Sequence, residues 1–216
     1  MGIIKEKIEK NKKFYWGLKP NPTLEFFIDS MPKGKALDLS GGEGKNSFFL
    51  AQNGFEVEIV DKDRQSLEKC RSFADEHKLS IKTILSDIRK FNFIDDYYSL
   101  IISTAALDFL KKSEIETLIE KVKKSLIEDG FVFFMVFSTK DPMYQEIIKR
   151  GFKEIEENTF YLPKYETYRH FFTKKELKQI FGNFKIVCLG QKKIKDIGHG
   201  KPHFHNIIEM LAKKIN

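Results

Sequence analysis

Apolar residues along this chain fall into short runs separated by longer amphipathic stretches. The runs at 35–39, 55–60, 81–85 and 98–103 read as strands. The segments between them carry apolar residues at helical spacing, as Leu67, Phe73 and Ala74 do within 63–78. Thr23 as N-cap and Pro32-Lys33-Gly34 as terminator bound a helix over 23–31. Further helices are expected over 44–53, closed by Gly54, and over 112–127, closed by Gly130. The run FVFFMVF at 131–137 is wholly apolar, as a strand must be when both faces of its sheet are covered. A helix over 174–181 behind Thr173 precedes two strands, 184–189 and 204–213, whose loop connection predicts an antiparallel pair at the sheet edge. The alternation predicts an α/β fold with a doubly wound, mostly parallel sheet.

The rhythm fails over 138–172, which is rich in Met143, Tyr144, Phe152, Phe160, Tyr161, Tyr165 and Tyr168. This stretch reads as an insertion with a short helix, placed to act as a lid. At the other end Ile4 and Ile8 recur at helical spacing, and FYWGLKPNP at 14–22 is rigid and irregular. The chain is therefore expected to be one domain, 1–216, with a helical leader over 1–31.

Composition narrows the class. At 216 residues, 41% hydrophobic and 32% charged, the chain is expected to be a soluble globular protein. Its net charge of +7 permits a nucleic-acid partner, but the lysines are scattered among glutamates, so such a partner is not the leading expectation. Cys70 and Cys188 share no motif, and free thiols fit a reducing, cytoplasmic setting. The longest apolar run is too short to span a bilayer, and the N-terminus lacks the apolar core of a signal peptide. Oligomeric state leaves no mark on the sequence.

The chemistry centres on ALDLSGGEGKNSFFLA, residues 36–51. Gly41, Gly42 and Gly44 let the backbone approach a ligand closely, and the helix behind them points its free N–H groups at the bend. In open α/β sheets, ligands lie at the carboxyl ends of the strands. Strand one delivers Asp38 and the bend. Strand two delivers Asp61, twenty residues after Gly41, an acceptor for ribose hydroxyls. Strand three delivers Asp87 and Ile88, suited to an adenine amino group and ring, and strand four delivers Ser103. No Lys-Ser/Thr follows the glycines and the pattern is not G-x-G-x-x-G, so phosphates and dinucleotides are disfavoured. A ligand with adenine and ribose but no phosphate fits, and S-adenosylmethionine is such a ligand.

On these residues, together with YYSLIISTAALDFLKKSEIETLI at 97–119, GKNSFFLAQNGFEVEIVDKD and the closing MLAKK, the chain resembles the class I S-adenosylmethionine-dependent methyltransferases. It is most similar to their tellurite-resistance, small-molecule type, and the likeness runs from about Phe14 to Lys213. The resemblance implies a Rossmann-like, seven-stranded sheet with a reversed last strand. It implies cofactor contacts at Asp38, Gly41, Gly42, Gly44, Asp61, Asp87, Ile88 and Ser103, with Asn46 and Lys62 as further candidates. One position departs from the family's D-x-G-x-G-x-G: its first glycine is Ser40 here, and a positive φ there would strain the bend.

Candidates for the acceptor side are Tyr15 and Trp16, which could close over the cofactor, the pair Arg169 and His170, and the histidines of DIGHGKPHFHN, namely His199, His203 and His205. His203 and His205 share a face if their segment is a strand. No metal is assigned, because no cysteine and no acid beyond Asp196 accompanies the histidines. No general base is assigned either. The expected activity is methyl transfer to a small molecule such as a metalloid or thiol. The alternatives are an RNA or protein methyltransferase and a non-enzymatic nucleoside- or metal-binding relative using the tail histidines.

Overall fold

In the computed structural model, residues 14–15, 17–196 and 202–215 are described. The first helix, α1 (Pro22–Phe27), begins at Asn21, whose side chain accepts from the Thr23 N–H. The cap is thus two residues earlier than expected, and Pro22 takes the first helical position, where its missing N–H costs nothing. A single 3₁₀ turn, Ile28–Ser30, completes the segment. Residues 1–13 of the leader expected over 1–31 lie outside the described residues.

From there the chain alternates: β1 (Lys35–Leu39), α2 (Lys45–Gln52), β2 (Glu56–Asp61), α3 (Arg64–Glu76), β3 (Ile81–Leu85), β4 (Tyr98–Thr104), α4 (Lys112–Ser125) and β5 (Leu126–Phe137). These strands pair in parallel. β5 begins earlier than its apolar run suggests, because Leu126 already pairs with Tyr98 ahead of an irregularity. After the insertion come α6 (Lys174–Ile180), β9 (Phe184–Asp196) and β10 (His203–Lys214). The sheet runs β3-β2-β1-β4-β5-β10-β9. The last strand, β10, is antiparallel to both neighbours, and its pair with β9 forms one edge of the sheet, as expected, with β9 outermost.

Both faces of the sheet are buried, which accounts for the apolar strands. On one face Ile115, Leu118 and Val122 of α4 and Leu177 of α6 pack on Ile101, Val132, Phe134 and Met210. On the other, Leu24 of α1 and Leu50 of α2 pack on Leu100, Ile102, Phe133 and Leu211. Phe14 joins Phe48 and Phe73 in edge-to-face contacts beside Ile59 and Leu67.

The insertion holds the expected short helix, α5 (Pro142–Lys149), and a three-stranded antiparallel sheet that the sequence did not announce: β6 (Glu154–Glu156), β7 (Thr159–Leu162) and β8 (Thr167–His170). It has a small core of its own in Ile147, Phe160, Leu162 and Phe171. Three- and four-residue strands carry too little alternation to be read from pattern. A backbone bridge from Ser138 to Phe172 closes the base of the insertion at the end of β5.

Candidate functional site

β1 and β4 are neighbours in the sheet and both end on left-handed residues. Ser40 takes φ 55° and Ala105 takes φ 52°. Such values disfavour residues with a Cβ, and strain of this kind concentrates at functional sites. Gly42 and Gly44 also adopt positive φ, at 55° and 88°. Gly41 is constrained differently: a Cβ there would stand 2.6 Å from the Asp38 carboxylate and 2.7 Å from Ile59. The bend is therefore folded tightly back over the end of β1.

Asp38 is buried beneath it. Its Oδ2 accepts from Ser47 Oγ at 2.7 Å, while its Oδ1 has no partner. Burial pushes the carboxyl up to about 7, with the Ser47 hydroxyl opposing and Asp61 adding to the rise. Ser103 at the end of β4 is also buried, with its Oγ unpartnered. Buried polar groups without partners are uncommon, and two of them at adjacent strand ends fit a polar ligand group between them. Asp61 braces the bend from the next strand: Oδ2 accepts from the Gly42 N–H at 2.9 Å and Oδ1 from the Asp63 N–H at 2.8 Å. Each oxygen retains a lone pair for a ribose hydroxyl.

Other cofactor candidates have prior engagements. Both Asp87 oxygens are taken by the Arg89 guanidinium, which holds the carboxyl down to about 2, and Arg89 also reaches Glu114. An adenine amino group would have to share this acid. Ile88 is buried in the core and offers an apolar wall. The Asn46 side chain is a brace: its Oδ1 accepts from the Asn21 N–H at 3.0 Å, and its Nδ2 donates to Thr104 Oγ1 at 3.3 Å. Lys62 is exposed beside Asp61.

The acceptor candidates separate. Tyr15 is exposed, but its backbone N–H donates to buried Glu43 at 2.6 Å, and Glu43 also holds Lys69. The segment ahead of α1 is thus anchored to the residue between Gly42 and Gly44. Trp16 and His199 lie outside the described residues. His170 is corrected: it is fully buried, with Thr159 Oγ1 at one ring nitrogen and Glu176 at the other, which leaves neither for an acceptor. It ties β8 to β7 and α6. Arg169 points elsewhere, its guanidinium stacked on Phe109 at 4.0 Å and near Phe137 at 5.3 Å. Its Nε and Nη1 are buried without partners, and burial lowers its proton affinity against the pull of Asp108 and Asp141.

His203 and His205 do come together, 3.0 Å apart between Nε2 atoms, with Asp196 joining them. Sequence reasoning missed two acids here. Asp108 is buried, accepts from the Phe137 N–H at 2.6 Å, and is pushed up to about 7 by burial, with Arg169 opposing. Asp141 is buried and caps α5 through the Met143 N–H while its other oxygen faces His205. Asp108 had one signal, a lone acid in the apolar run ALDFL. Asp141 had the Asp-Pro that opens a helix, but nothing pointed it at His205.

The sheet order, the reversed β10 and a glycine bend at the β1/β4 switch define the class I methyltransferase fold, and solved structures agree. A crystal structure of TehB from Haemophilus influenzae superposes with a TM-score of 0.71 at 20% identity, covering 90% of this chain and 62% of that one. A S-adenosylmethionine-dependent methyltransferase from Methanosarcina mazei gives 0.73 at 18% identity, over 92% and 99% of the two chains. The family model "Tellurite resistance protein TehB" matches residues 24–183, and the chain belongs to that family. Among curated proteins, a probable S-adenosyl-L-methionine-dependent methyltransferase, TehB of Haemophilus influenzae, is 29% identical over 107 residues. That match covers 50% of this chain and 37% of the relative, so the chain matches little more than a third of the relative's length.

Proposed function

We propose that this protein is an S-adenosylmethionine-dependent methyltransferase whose acceptor is a small molecule with a soft nucleophilic atom, such as a metalloid oxyanion or a thiol. The observation that carries the reading is the pair of buried, unpartnered atoms, Asp38 Oδ1 and Ser103 Oγ, at adjacent strand ends beneath a bend braced by Asp61. Family membership and the relatives' names support it. Asp38 would face the cofactor's cationic amino-acid end and Asp61 its ribose, with Ile88 along the adenine. The cofactor supplies a methyl group on a sulfonium centre. An acceptor held in line would take that methyl with its own lone pair, the electrons of the broken sulfur–carbon bond staying on sulfur.

The protein's task in such a displacement is alignment. Arg169, held flat on Phe109, can attract an anionic acceptor through its guanidinium. A metalloid lone pair, or a thiol that arrives already ionised as thiolate, needs no proton removed by the protein. Mass spectrometry of methylated products from selenite, tellurite, small thiols and RNA, each offered with the cofactor, tests the reading. A volatile or soluble small methylated product is expected. Methylated RNA with no small-molecule product would overturn the acceptor class.

A further inference from the structure

We infer that Asp196, His203 and His205 form a binding site for a divalent first-row transition cation of the zinc class, where β9 ends and β10 begins. The strand register builds it. Asp196, the last residue of β9, pairs directly with His203 on β10, and His205 follows two residues later on the same face. Each residue offers one ligand atom, and these atoms all lie within 4.8 Å of one another. His203 Nε2 and His205 Nε2 are 3.0 Å apart, and His205 Nε2 is 3.8 Å from Asp196 Oδ2. Zinc bonds of about 2.0–2.1 Å in a tetrahedron place neighbouring ligand atoms roughly 3.3 Å apart, between those two separations.

The surroundings have the form expected around a metal-binding histidine. His205 is buried, and its Nδ1 meets the Asp141 carboxylate at 3.1 Å, leaving Nε2 toward the cluster. A carboxylate behind a ligating imidazole fixes its tautomer and raises its basicity. Asp141 is itself locked, accepting from the Asn206 N–H at 2.7 Å and the Met143 N–H at 2.8 Å. The Phe137 ring packs against the His205 imidazole at 4.6 Å, between ring centroids. Two imidazole nitrogens and one carboxylate oxygen suit zinc, cobalt or nickel and not magnesium or calcium. Three protein ligands leave a coordination position for water or an anion. Asp196 also acts electrostatically on Lys45, the residue that opens α2 behind the glycine bend.

This inference stands apart from methyl transfer. The test is calorimetric titration of the full chain, stripped with chelator, with zinc sulfate, beside the variants His203→Ala and Asp196→Asn. One zinc per chain with micromolar or tighter affinity is expected, weakened at least about tenfold in each variant. Cobalt(II) in place of zinc should give the intense visible bands of four- or five-coordinate metal in the unmodified chain, a readout that needs no variant. Circular dichroism melts establish that the variants fold. No zinc binding, zinc binding equal in the variants, or only the weak spectrum of six-coordinate cobalt would overturn the site.

Discussion

The two halves of the sheet are built by opposite means where the candidate site residues lie. The wall formed by β1, β2 and β4 is local: a bend of seven residues, one acid from each of two adjacent strands, and backbone N–H groups as the main donors. The half formed by β5, β10 and β9 is assembled from distant side chains. Phe137 and Asp108 meet across 29 positions, His205 and Asp141 across 64, and Asn21 and Glu209 across 188. A wall of backbone and glycine is set by steric limits and tolerates few substitutions. A wall of long-range side-chain contacts can be rebuilt, which suits the part of a fold that meets a variable acceptor.

The largest effect should come from adding bulk to the local wall. Gly41→Ala sets a Cβ 2.6 Å from the Asp38 carboxylate and 2.7 Å from Ile59 Cδ1, so both buried side chains must shift. Denaturant unfolding should register a loss of about 2–3 kcal/mol, together with weakened cofactor binding. If stability and affinity both survive, the bend is not the rigid element described here.

Next is the distant wall. The buried Glu209 carboxylate accepts from Asn21 Nδ2, Thr23 Oγ1 and Lys192 Nζ at 2.8, 2.6 and 2.7 Å. Burial raises its pKa, but the Lys192, Thr23 and Asn21 donors outweigh that and leave it below the usual range. Its contribution to stability is therefore present at neutral pH and lost as acid protonates it. Glu209→Ala should cost about 2 kcal/mol by stranding three donors, with a melting temperature lowered about 2–4 °C per kcal/mol, while cofactor affinity is retained. Equal loss of affinity would mean the two halves are not separable.

Asp38 gives a sharper distinction, through pH. Its folded value near 7 lies above the unfolded one, so the folded protein holds a proton that the unfolded chain has released. The stability tied to that proton is complete in acid and is lost as pH rises toward and through 7. With a cationic group of the cofactor at Asp38, the ionised form is the one that binds. Affinity for the cofactor should then fall as pH drops below about 7, by up to about tenfold per pH unit. Calorimetry across this range, in buffers of differing ionisation heat, should also detect proton release on binding. A flat profile would remove Asp38 from the cofactor's charged end.

The smallest effect concerns Ser40. At φ 55° its side chain sits where glycine is normally used. Ser40→Gly should relieve that strain, offset by the greater freedom of glycine in the unfolded chain, for a net gain of at most about 1 kcal/mol by thermal melt. A clear loss would mean that the Ser40 hydroxyl has a role of its own.

What was legible in the sequence follows the same division. β3 was read at its observed limits, α2 and α3 to within two residues, and the glycine bend with Asp38 and Asp61 stood out, because each rests on neighbours in sequence. The antiparallel pair at the sheet edge was legible too, but a loop-joined pair does not say which strand is outermost, here β9. The pairings of Asp141 with His205, of Asp108 with Phe137 and of Asn21 with Glu209 were invisible, because a lone acid or amide carries no sign of its distant partner. His170 was misjudged for the same reason. It stood beside Arg169 as a polar pair, yet alternation along β8 sends the two side chains to opposite sides, one into the core and one toward Phe109.

The central claim is that the bend from Asp38 to Gly44, braced by Asp61, is a nucleoside-binding wall. Isothermal titration of the full chain and of Asp61→Ala with S-adenosylhomocysteine tests it most directly. The unmodified chain should bind one equivalent, and Asp61→Ala should bind more weakly by about 1.5–3 kcal/mol, roughly ten- to a hundred-fold and more. No binding by the unmodified chain, or equal affinity in the variant, would contradict it.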